Sequence, residues 1–431
     1  MSSSKYEVII IGAGPAGLAA ACKLARAGVE VVVVERGDYP GSKNVSGGAL
    51  YSRVLDKLIP GFWQEAPVER YVTSYITSLT TTDDYINLEY RGKALGDTPY
   101  NAVSVLRGKF DRWLAEQAEA AGAMIVTGIK VENVLQDGRR VIGICTGEEE
   151  MLADVVIAAD GINSFIAQAA GLRGLIKQEH LSVGTKALIE LPQDLLEERF
   201  RLKGKEGAAY AIVGAASRGV AGGAFLYTNL ASISVGVVLR LDDLVRQAVQ
   251  PADVLDELLA HPLVAPLVKD GKMVEYGAHL TGEGGLNMVP SRLYAAGLLI
   301  AGDAAGFTIN NGLVIRGMDL AIASGLAAAD TVIQAKAGND FSENALSGYL
   351  QNLDQLVMRD MKLYARMPAF MDNRRLYTQY APLITDVLGK AYRHNLAPRE
   401  HLCTIAGKSL RASGISLLNV IKDGIKGARA L

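Results

Sequence analysis

Cysteine is scarce in this 431-residue sequence, which contains only Cys22, Cys145 and Cys403. The three are far apart and share no CxxC spacing, so we predict neither a disulfide framework nor an iron–sulfur cluster held by four local thiolates. The five histidines also lack the spacing of metal ligands, and we predict no bound metal.

Net charge and long apolar runs are limited as well. A formal net charge of −2 argues against a nucleic-acid partner. No window holds about 18 uninterrupted apolar residues, so we predict no membrane-spanning helix. The first residues lack the basic stretch and apolar core of a signal peptide, and we expect a cytoplasmic protein. At about 150 residues per domain, the length indicates two to three domains.

The first forty residues carry the strongest signal. Residues 6–11 read YEVIII, a run typical of a strand buried on both faces, and GAGPAG follows at 12–17. We predict a helix over 18–27, ended by Gly28, and a second strand over 29–34 that ends at Glu35. Strand, glycine-rich turn, helix, strand and acid in this order indicate a dinucleotide-binding unit.

Each residue type in this unit has a physical reason. Gly12 permits a tight turn, Gly14 lets the backbone approach a pyrophosphate, and Gly17 lets the helix pack closely on the strand. The helix N-terminus offers unpaired N–H groups to the phosphates. Glu35 can accept hydrogen bonds from both ribose hydroxyls and would repel a 2′-phosphate, which argues against an NADP-type ligand. The N-terminal position and the Pro-Ala insert favour FAD over NAD.

Distant segments are predicted to close the same site. Arg107 precedes an amphipathic helix that ends at Gly122. Residues 125–134 and 141–145 are predicted to form a hairpin with its turn at 137–138. Buried strands over 153–159 and 296–301 lead into Asp160-Gly161 and into GDAAG at 302–306, and a helix follows from about residue 317.

The ends of these strands are expected to face the flavin, because ligands of open α/β sheets bind at the carboxyl ends of strands. Asp303 is expected to accept a hydrogen bond from a ribityl hydroxyl. A helix N-terminus near Gly312 is expected to face the negative charge of a reduced flavin.

With these motifs the sequence resembles, nearly end to end, the FAD-dependent group of geranylgeranyl reductases, aromatic hydroxylases and electron-transfer-flavoprotein:quinone oxidoreductases. It is most similar to the FixC type. The narrower resemblance is carried by GSKNVSGG at 41–48, GAFLYTN at 223–229, the run 233–237, EYGAH at 275–279 and NNG at 310–312.

The resemblance implies electron transfer from an electron-transfer flavoprotein through FAD to a quinone. Quinone reductases of this family carry an iron–sulfur cluster in a C-terminal domain. This chain has no cysteine quartet, so the resemblance to FixC-type proteins implies a separate ferredoxin-like partner. Two alternatives remain open: an FAD-dependent reductase or monooxygenase of an isoprenoid or aromatic substrate, and an assembly subunit with a structural FAD. The lack of a second GxGxxG beside another strand argues against a separately housed nicotinamide.

We predict an α/β fold in which a Rossmann-like FAD-binding domain is interleaved with a sheet-rich second domain and followed by C-terminal helices. The FAD-binding domain is assigned to residues 1–70, 104–172 and 292–345. The substrate or quinone domain is assigned to 71–103 and 173–291, with a helix over 241–259. Residues 346–431 are assigned to helices, with breaks at Pro368 and Pro382.

Two features of the C-terminal region have alternative interpretations. Methionines at 358, 361, 367 and 371 suit either core packing or an adaptable lining for a quinone tail or a docking partner. Residues 408–429 combine basic and apolar side chains as an amphipathic helix does. Such a helix either docks on protein or lies on an anionic membrane, which would place the protein peripherally at the inner face of the membrane.

Flavin electron transfer needs no protein nucleophile, because the cofactor supplies the redox centre. We therefore name no certain catalytic side chain and take His279 as the candidate. Lys43 and Asn44 are predicted to reach the flavin, and Lys186 and Tyr227 to line the substrate side. The predicted cofactor-binding residues are Gly12, Ala13, Gly14, Pro15, Ala16, Gly17, Glu35, Arg36, Lys43, Gly47, Gly48, Arg107, Val131, Asp160, Gly161, Gly302, Asp303, Asn310 and Gly312.

Overall fold

The computed structural model describes residues 5–44, 47–147, 149–394, 396 and 398–431. Val45 and Ser46 of the GSKNVSGG stretch lie outside the described residues. The strands are β1 Lys5–Ile11, β2 Val31–Val34, β3 Gly47–Tyr51, β4 Val68–Thr80, β5 Tyr85–Arg91, β6 Ala102–Leu106, β7 Met124–Val126, β8 Asn133–Asp137, β9 Arg140–Thr146, β10 Glu149–Ala158, β11 Leu181–Glu190, β12 Glu206–Gly214, β13 Gly222–Thr228, β14 Ser232–Arg240, β15 Lys272–Gly282, β16 Tyr294–Ala295, β17 Leu298–Ile300, β18 Ile309–Asn310 and β19 Ile315–Arg316.

The helices complete the chain order. They are α1 Pro15–Arg26, α2 Arg53–Leu58, α3 Arg107–Ala120, α4 Phe165–Ala169, α5 Gln193–Phe200, α6 Leu241–Gln247, α7 Pro251–Ala260, α8 Ala265–Val268, α9 Met318–Ala337, α10 Glu343–Leu346, α11 Tyr349–Leu353, α12 Arg359–Leu363, α13 Met367–Met371, α14 Arg375–Thr378, α15 Tyr380–Tyr392, α16 Leu402–Ala412 and α17 Leu417–Ala430. No helix of the described segments is long and apolar enough to cross a bilayer.

The first sheet has the strand order β16-β17-β10-β1-β2-β7, with the β8–β9 hairpin attached to β10. Its central strands are parallel, and β1 lies between β10 and β2. Val8–Ile11 and Val31–Val34 are buried, as expected for strands covered on both faces. Helix α1 packs against α9 and α3, and these helices share one hydrophobic core with the strands.

The second sheet has the order β15-β11-β14-β13-β12-β4-β6-β3, with β5 paired to β4. All of its pairings are antiparallel except that of β12 with β4. On one face, apolar side chains of α6 and α7 pack with those of the strands in a second core. The opposite face of this sheet, across strands β11 to β15, borders the pocket described below.

The C-terminal helices pack across both sheets. α14 and α15 contact β12, while α11 packs on α9. Asp423 of α17 accepts hydrogen bonds from Arg375 at 2.7 and 3.0 Å and from the Tyr380 hydroxyl at 2.6 Å. These bonds attach the last helix to the rest of the region, and the Arg375 guanidinium holds the pKa of Asp423 below its usual range.

Several local predictions are wrong in informative ways. Residues 124–126 join the parallel sheet beside β2, so only β8 and β9 form the predicted hairpin. The helix predicted over 241–259 is two helices, because Ala248 adopts a left-handed conformation and Pro251 begins α7. By contrast, helix breaks do lie beside Pro368 and Pro382, because α13 and α15 begin one and two residues before them. Both prolines lie in a first turn, where the missing N–H costs no helical hydrogen bond.

The proposed division into domains stays a prediction. Within the range 1–70 assigned to the FAD-binding domain, β3 pairs with β6 of the second sheet. Of the other strands in the predicted FAD-binding domain, β1, β2, β7, β8, β9, β10, β16 and β17 lie in the first sheet, and β18 and β19 form a separate two-stranded sheet. The chain thus passes between the two sheets several times.

Candidate functional site

The turn between β1 and α1 is built on two glycines. Gly12 has φ +101°, and a Cβ there would lie 2.4 Å from the carbonyl oxygen of Ala159. A Cβ on Gly17 would lie 2.1 Å from the carbonyl oxygen of Gly12. Larger residues at either position would push the turn away from its neighbours, so both glycines are required by close packing.

Gly14 has a different surrounding, because nothing lies within 4 Å of a Cβ placed on it. It is the N-cap of α1 and provides no side-chain cap, and Pro15 follows in the first turn. The first N–H groups of α1 therefore lack a capping side chain and face the open pocket, an arrangement that binds phosphate.

Glu35, at the end of β2, receives two backbone hydrogen bonds. Ala13 donates to Oε2 at 2.8 Å and Gly37 donates to Oε1 at 2.7 Å. These bonds fix the carboxylate beside the glycine turn. Each carboxylate oxygen keeps a further lone pair, so the predicted contact with ribose hydroxyls remains available.

A cavity of about 500 Å³ extends from this turn to the face of the second sheet. Its wall contains every predicted cofactor-binding residue except Gly17. Lys43, Asn44, Lys186, Tyr227 and His279 also line it. Gly17 instead lies behind the turn, where it packs α1 against β1.

Two polar atoms in the cavity wall have no hydrogen-bond partner among the described residues. These atoms are Oδ1 of Asp160 and Oγ1 of Thr308, and both are buried. The other oxygen of Asp160 accepts from Ile166 N at 3.1 Å. Since buried polar groups are nearly always satisfied, such atoms indicate a bound ligand. The open N-terminus of α1 and these unpaired groups together fit FAD.

Acidic groups at the strand ends are perturbed by burial. Burial raises the pKa of Asp303, and the nearby Arg107 charge opposes the rise. Burial likewise raises the pKa of Asp160. Gly302 has φ +65°, donates to Ser324 Oγ at 2.8 Å and approaches Ala16, which fixes the turn that carries Asp303.

The expected helix N-terminus near Gly312 is wrong. Gly312 lies at the tip of the short β18–β19 hairpin, with its N–H donating to Asn310 Oδ1 at 2.8 Å. Helix α9 begins six residues later, at Met318. Gly317 and Met318 line the cavity, so the start of α9 does border the site.

The face of the second sheet adds polar groups that sequence reasoning missed. Thr281 and Glu283 line the cavity beyond His279. The alternation of cavity-facing residues in β15, at 277, 279 and 281, continues to 283, and this period of two is readable in the sequence. Burial raises the pKa of Glu283 to about 7 and lowers that of His279 to about 4. No cluster of metal-ligating side chains occurs within the described part of the chain.

Family models match two parts of this sequence. Residues 5–201 match the FAD binding domain, and residues 367–431 match the ETF-QO/FixC family C-terminal domain. Protein FixC of Salmonella typhi is 44% identical over 433 residues, covering 100% of both chains. A protein of Escherichia coli K12 named probable electron transfer flavoprotein-quinone oxidoreductase YdiS is 43% identical, also covering 100% of both.

Solved structures share the fold at low sequence identity. A geranylgeranyl bacteriochlorophyll reductase-like protein of Thermoplasma acidophilum matches with a TM-score of 0.73 at 20% identity, covering 98% of this chain and 99% of that one. The flavin-dependent brominase Bmp2 matches with a TM-score of 0.64 at 15% identity, covering 98% of both. The fold and site define an FAD-dependent oxidoreductase. The full-length relatives show further that the chain belongs to the ETF-QO/FixC family.

Proposed function

We propose that this chain carries electrons from an electron transfer flavoprotein through its FAD to a quinone. The observation that carries the proposal is the full-length similarity, at 43% identity, to the E. coli relative named as a probable oxidoreductase of this type. FAD supplies the centre that accepts and releases electrons. The protein residues bind it, orient it and shape the space beside it.

The cavity suits an uncharged acceptor with carbonyl oxygens. Its sheet-facing part combines apolar side chains with few polar ones. The apolar members include Ala211, Val213, Phe225 and Val238. A mostly apolar wall with a small number of placed polar groups is typical of sites for ring-shaped ligands.

A ferredoxin-like protein is proposed as the holder of any iron–sulfur cluster in this route. The cysteines of this chain lie in α1, β9 and α16; Cys22 is buried and Cys403 is exposed. A cluster ligated by cysteines alone needs four thiolates, which three cannot supply. Reconstitution of electron transfer with and without such a protein tests this part separately.

The decisive experiment is anaerobic stopped-flow absorbance of the FAD-loaded protein. We expect reduced electron transfer flavoprotein to bleach the flavin rapidly, NAD(P)H to do so slowly, and a quinone analogue to restore the absorbance. Rapid bleaching by NAD(P)H alone would contradict the proposal and favour a reductase or monooxygenase. A flavin that neither partner reduces would favour a structural role for FAD.

The outer face of α17 is proposed to rest on an anionic membrane surface, which would hold the protein at the inner face of the membrane. Asp423, Gly427 and Ala430 point inward, while Leu418 is 77% exposed and Ile421 is 50% exposed. Further exposed residues of this face are Leu417, Ile425, Lys422, Lys426 and Arg429. Apolar residues beside basic ones are what an interfacial helix requires.

Flotation with vesicles that contain anionic lipid tests the membrane contact. We expect the protein to float with these vesicles, to float less at high salt, and to lose binding when Leu418→Glu and Ile421→Glu are combined. Leu88→Glu is the matched control, because Leu88 is 74% exposed on β5, away from α17. Equal loss with the control, or no flotation of the unaltered protein, would contradict the contact.

A further inference from the structure

Lys186 lies on the cavity face of β11, and its neighbours on that face are glycines that bring no side chains (the glycine clearing). In the sheet it stands opposite Gly236 of β14 and Gly277 of β15. Its Cε lies 3.8 Å from the position of a Cβ on Gly184, two residues earlier on the same face. Glycine in the interior of a strand weakens the strand, and it often marks the close approach of a ligand.

None of the ion pairs formed among the described residues involves the ammonium group of Lys186. Its Nζ lies 5.7 Å from the centroid of the Phe225 ring. The Phe225 ring itself fills the space above Gly236, where a Cβ would lie 2.7 Å from it. Lys186 is half-buried in the cavity wall, and an ammonium partly removed from water without an anionic partner is costly unless a ligand compensates it.

The charges around Lys186 do not supply that compensation. Burial and the charge of Arg107 lower the pKa of Lys186 to about 8. Burial also lowers the pKa of His279, to about 4, so His279 is neutral at pH 7. The other titratable groups that line the cavity around this face are Tyr210, Tyr227, Glu283, Arg36 and Asp303. Glu275 lies two residues before Gly277 on β15. Lys186 therefore stays mostly cationic at neutral pH and lacks a counter-charge.

We propose that Lys186 is the counter-charge for the reduced flavin, stabilising the negative charge that FAD acquires on reduction and thereby raising its reduction potential. The supporting geometry is the glycine clearing, the missing anionic partner and the position in the same cavity as Asp303. The proposal rests on FAD binding alone. It holds whichever donor or acceptor the protein uses.

Potentiometric titration of the FAD-loaded protein tests the proposal. We expect Lys186→Met to shift the two-electron equilibrium towards oxidised flavin by at least tenfold, about 30 mV lower in potential. Lys186→Arg keeps the charge and is expected to stay within threefold of the unaltered protein. Lys205→Met is the matched control, since Lys205 is exposed on the same sheet domain, and it is expected to leave the potential unchanged.

The pH dependence supplies a second readout. Reduction adds negative charge and so raises the pKa of Lys186 from its value of about 8. Above pH 8, reduction therefore takes up one more proton, and the potential falls more steeply, by about 30 mV per pH unit. In Lys186→Met the potential is expected to show no such steeper fall above pH 8.

An unchanged potential in Lys186→Met would overturn the proposal, and an altered KM for quinone with the same potential would assign Lys186 to the acceptor instead. If Lys186→Met does not retain FAD, Lys186→Gln and Lys186→Arg carry the comparison, and equal potentials in these two would overturn it. The stopped-flow result with electron transfer flavoprotein does not affect this outcome, so failure of one proposal is distinguishable from failure of the other.

Discussion

Asp111 accepts two parallel hydrogen bonds from the guanidinium of Arg107, at 2.8 and 2.7 Å, within a single turn of α3. Asp111 is fully buried, whereas Arg107 reaches the cavity. Asn44 donates a third hydrogen bond to Asp111 at 3.2 Å. The buried carboxylate thus fixes an arginine that borders the cofactor cavity.

Asp111→Asn is expected to destabilise the protein by about 3–5 kcal/mol, because it leaves the Arg107 charge without its buried partner. Asp386→Asn is the matched control, since Asp386 and Lys390 form an exposed pair with the same spacing of four residues; it is expected to cost under about 1 kcal/mol. Urea unfolding measures both. Similar losses of unfolding free energy in the two variants would contradict the role of Asp111 as the buried partner of Arg107.

Gly17→Ala is expected to abolish FAD retention, because its Cβ would collide with the carbonyl oxygen of Gly12 at 2.1 Å. The flavin content of the purified protein measures the effect. Gly407→Ala in α16 is the control, since nothing lies within 4 Å of a Cβ there. Alanine should stabilise that helix by about 1 kcal/mol. Normal flavin content in Gly17→Ala would mean that the turn can relax.

Glu35→Gln is expected to weaken FAD binding by roughly 10- to 100-fold, the equivalent of about 1.5–3 kcal/mol for hydrogen bonds to a charged group. The substitution replaces one of the two oxygens that Ala13 and Gly37 hold with an amide that cannot accept their bonds. Fluorescence titration of the apoprotein with FAD measures the affinity. Glu116→Gln, on the exposed side of α3, should bind FAD normally, and equal affinities in the two variants would contradict the prediction.

The raised pKa of Glu283 is expected to make the stability of the protein depend on pH. Its pKa is about 7 in the folded protein and 4.5 in the unfolded reference, so the folded state holds the proton more tightly. The contribution of Glu283 to the free energy of unfolding is therefore fully present below about pH 4.5 and is lost as pH rises through 7. Glu283→Gln should remove this fall and raise Tm at pH 8 relative to the unaltered protein. Parallel Tm–pH curves for the two proteins would exclude the elevated pKa.

The βαβ unit and the strand-end acids were predictable from sequence because each follows from local patterns. YEVIII, GAGPAG and Glu35 lie within thirty residues, and the structure shows a steric reason for Gly12 and for Gly17. The split of 241–259 was also readable, since Pro251 stands inside the predicted helix. The hairpin error at 124–126 arose from tertiary pairing with β2, which the local sequence does not encode.

The groups that face the cavity from the second sheet were less predictable. Lys186 and Tyr227 were named, but Thr281 and Glu283 were not, because which face of a strand borders a cavity depends on how the two sheets meet. The missing partner of Lys186 is likewise a property of the whole fold. A sequence pattern gives the alternation along β15 but not the surroundings of its side chains.

The contact between α1 and α9 has a consequence for the order in which the protein is made. A Cβ on Gly325 of α9 would lie 2.1 Å from the carbonyl oxygen of Ala16, so the phosphate-binding helix is completed by a segment that is synthesised 309 residues later (325 minus 16). At about 5–20 residues per second, that interval is roughly 15–60 s. During it the nascent chain carries the whole GAGPAG turn without the helix that supports it, and FAD capture therefore becomes a late step of biosynthesis.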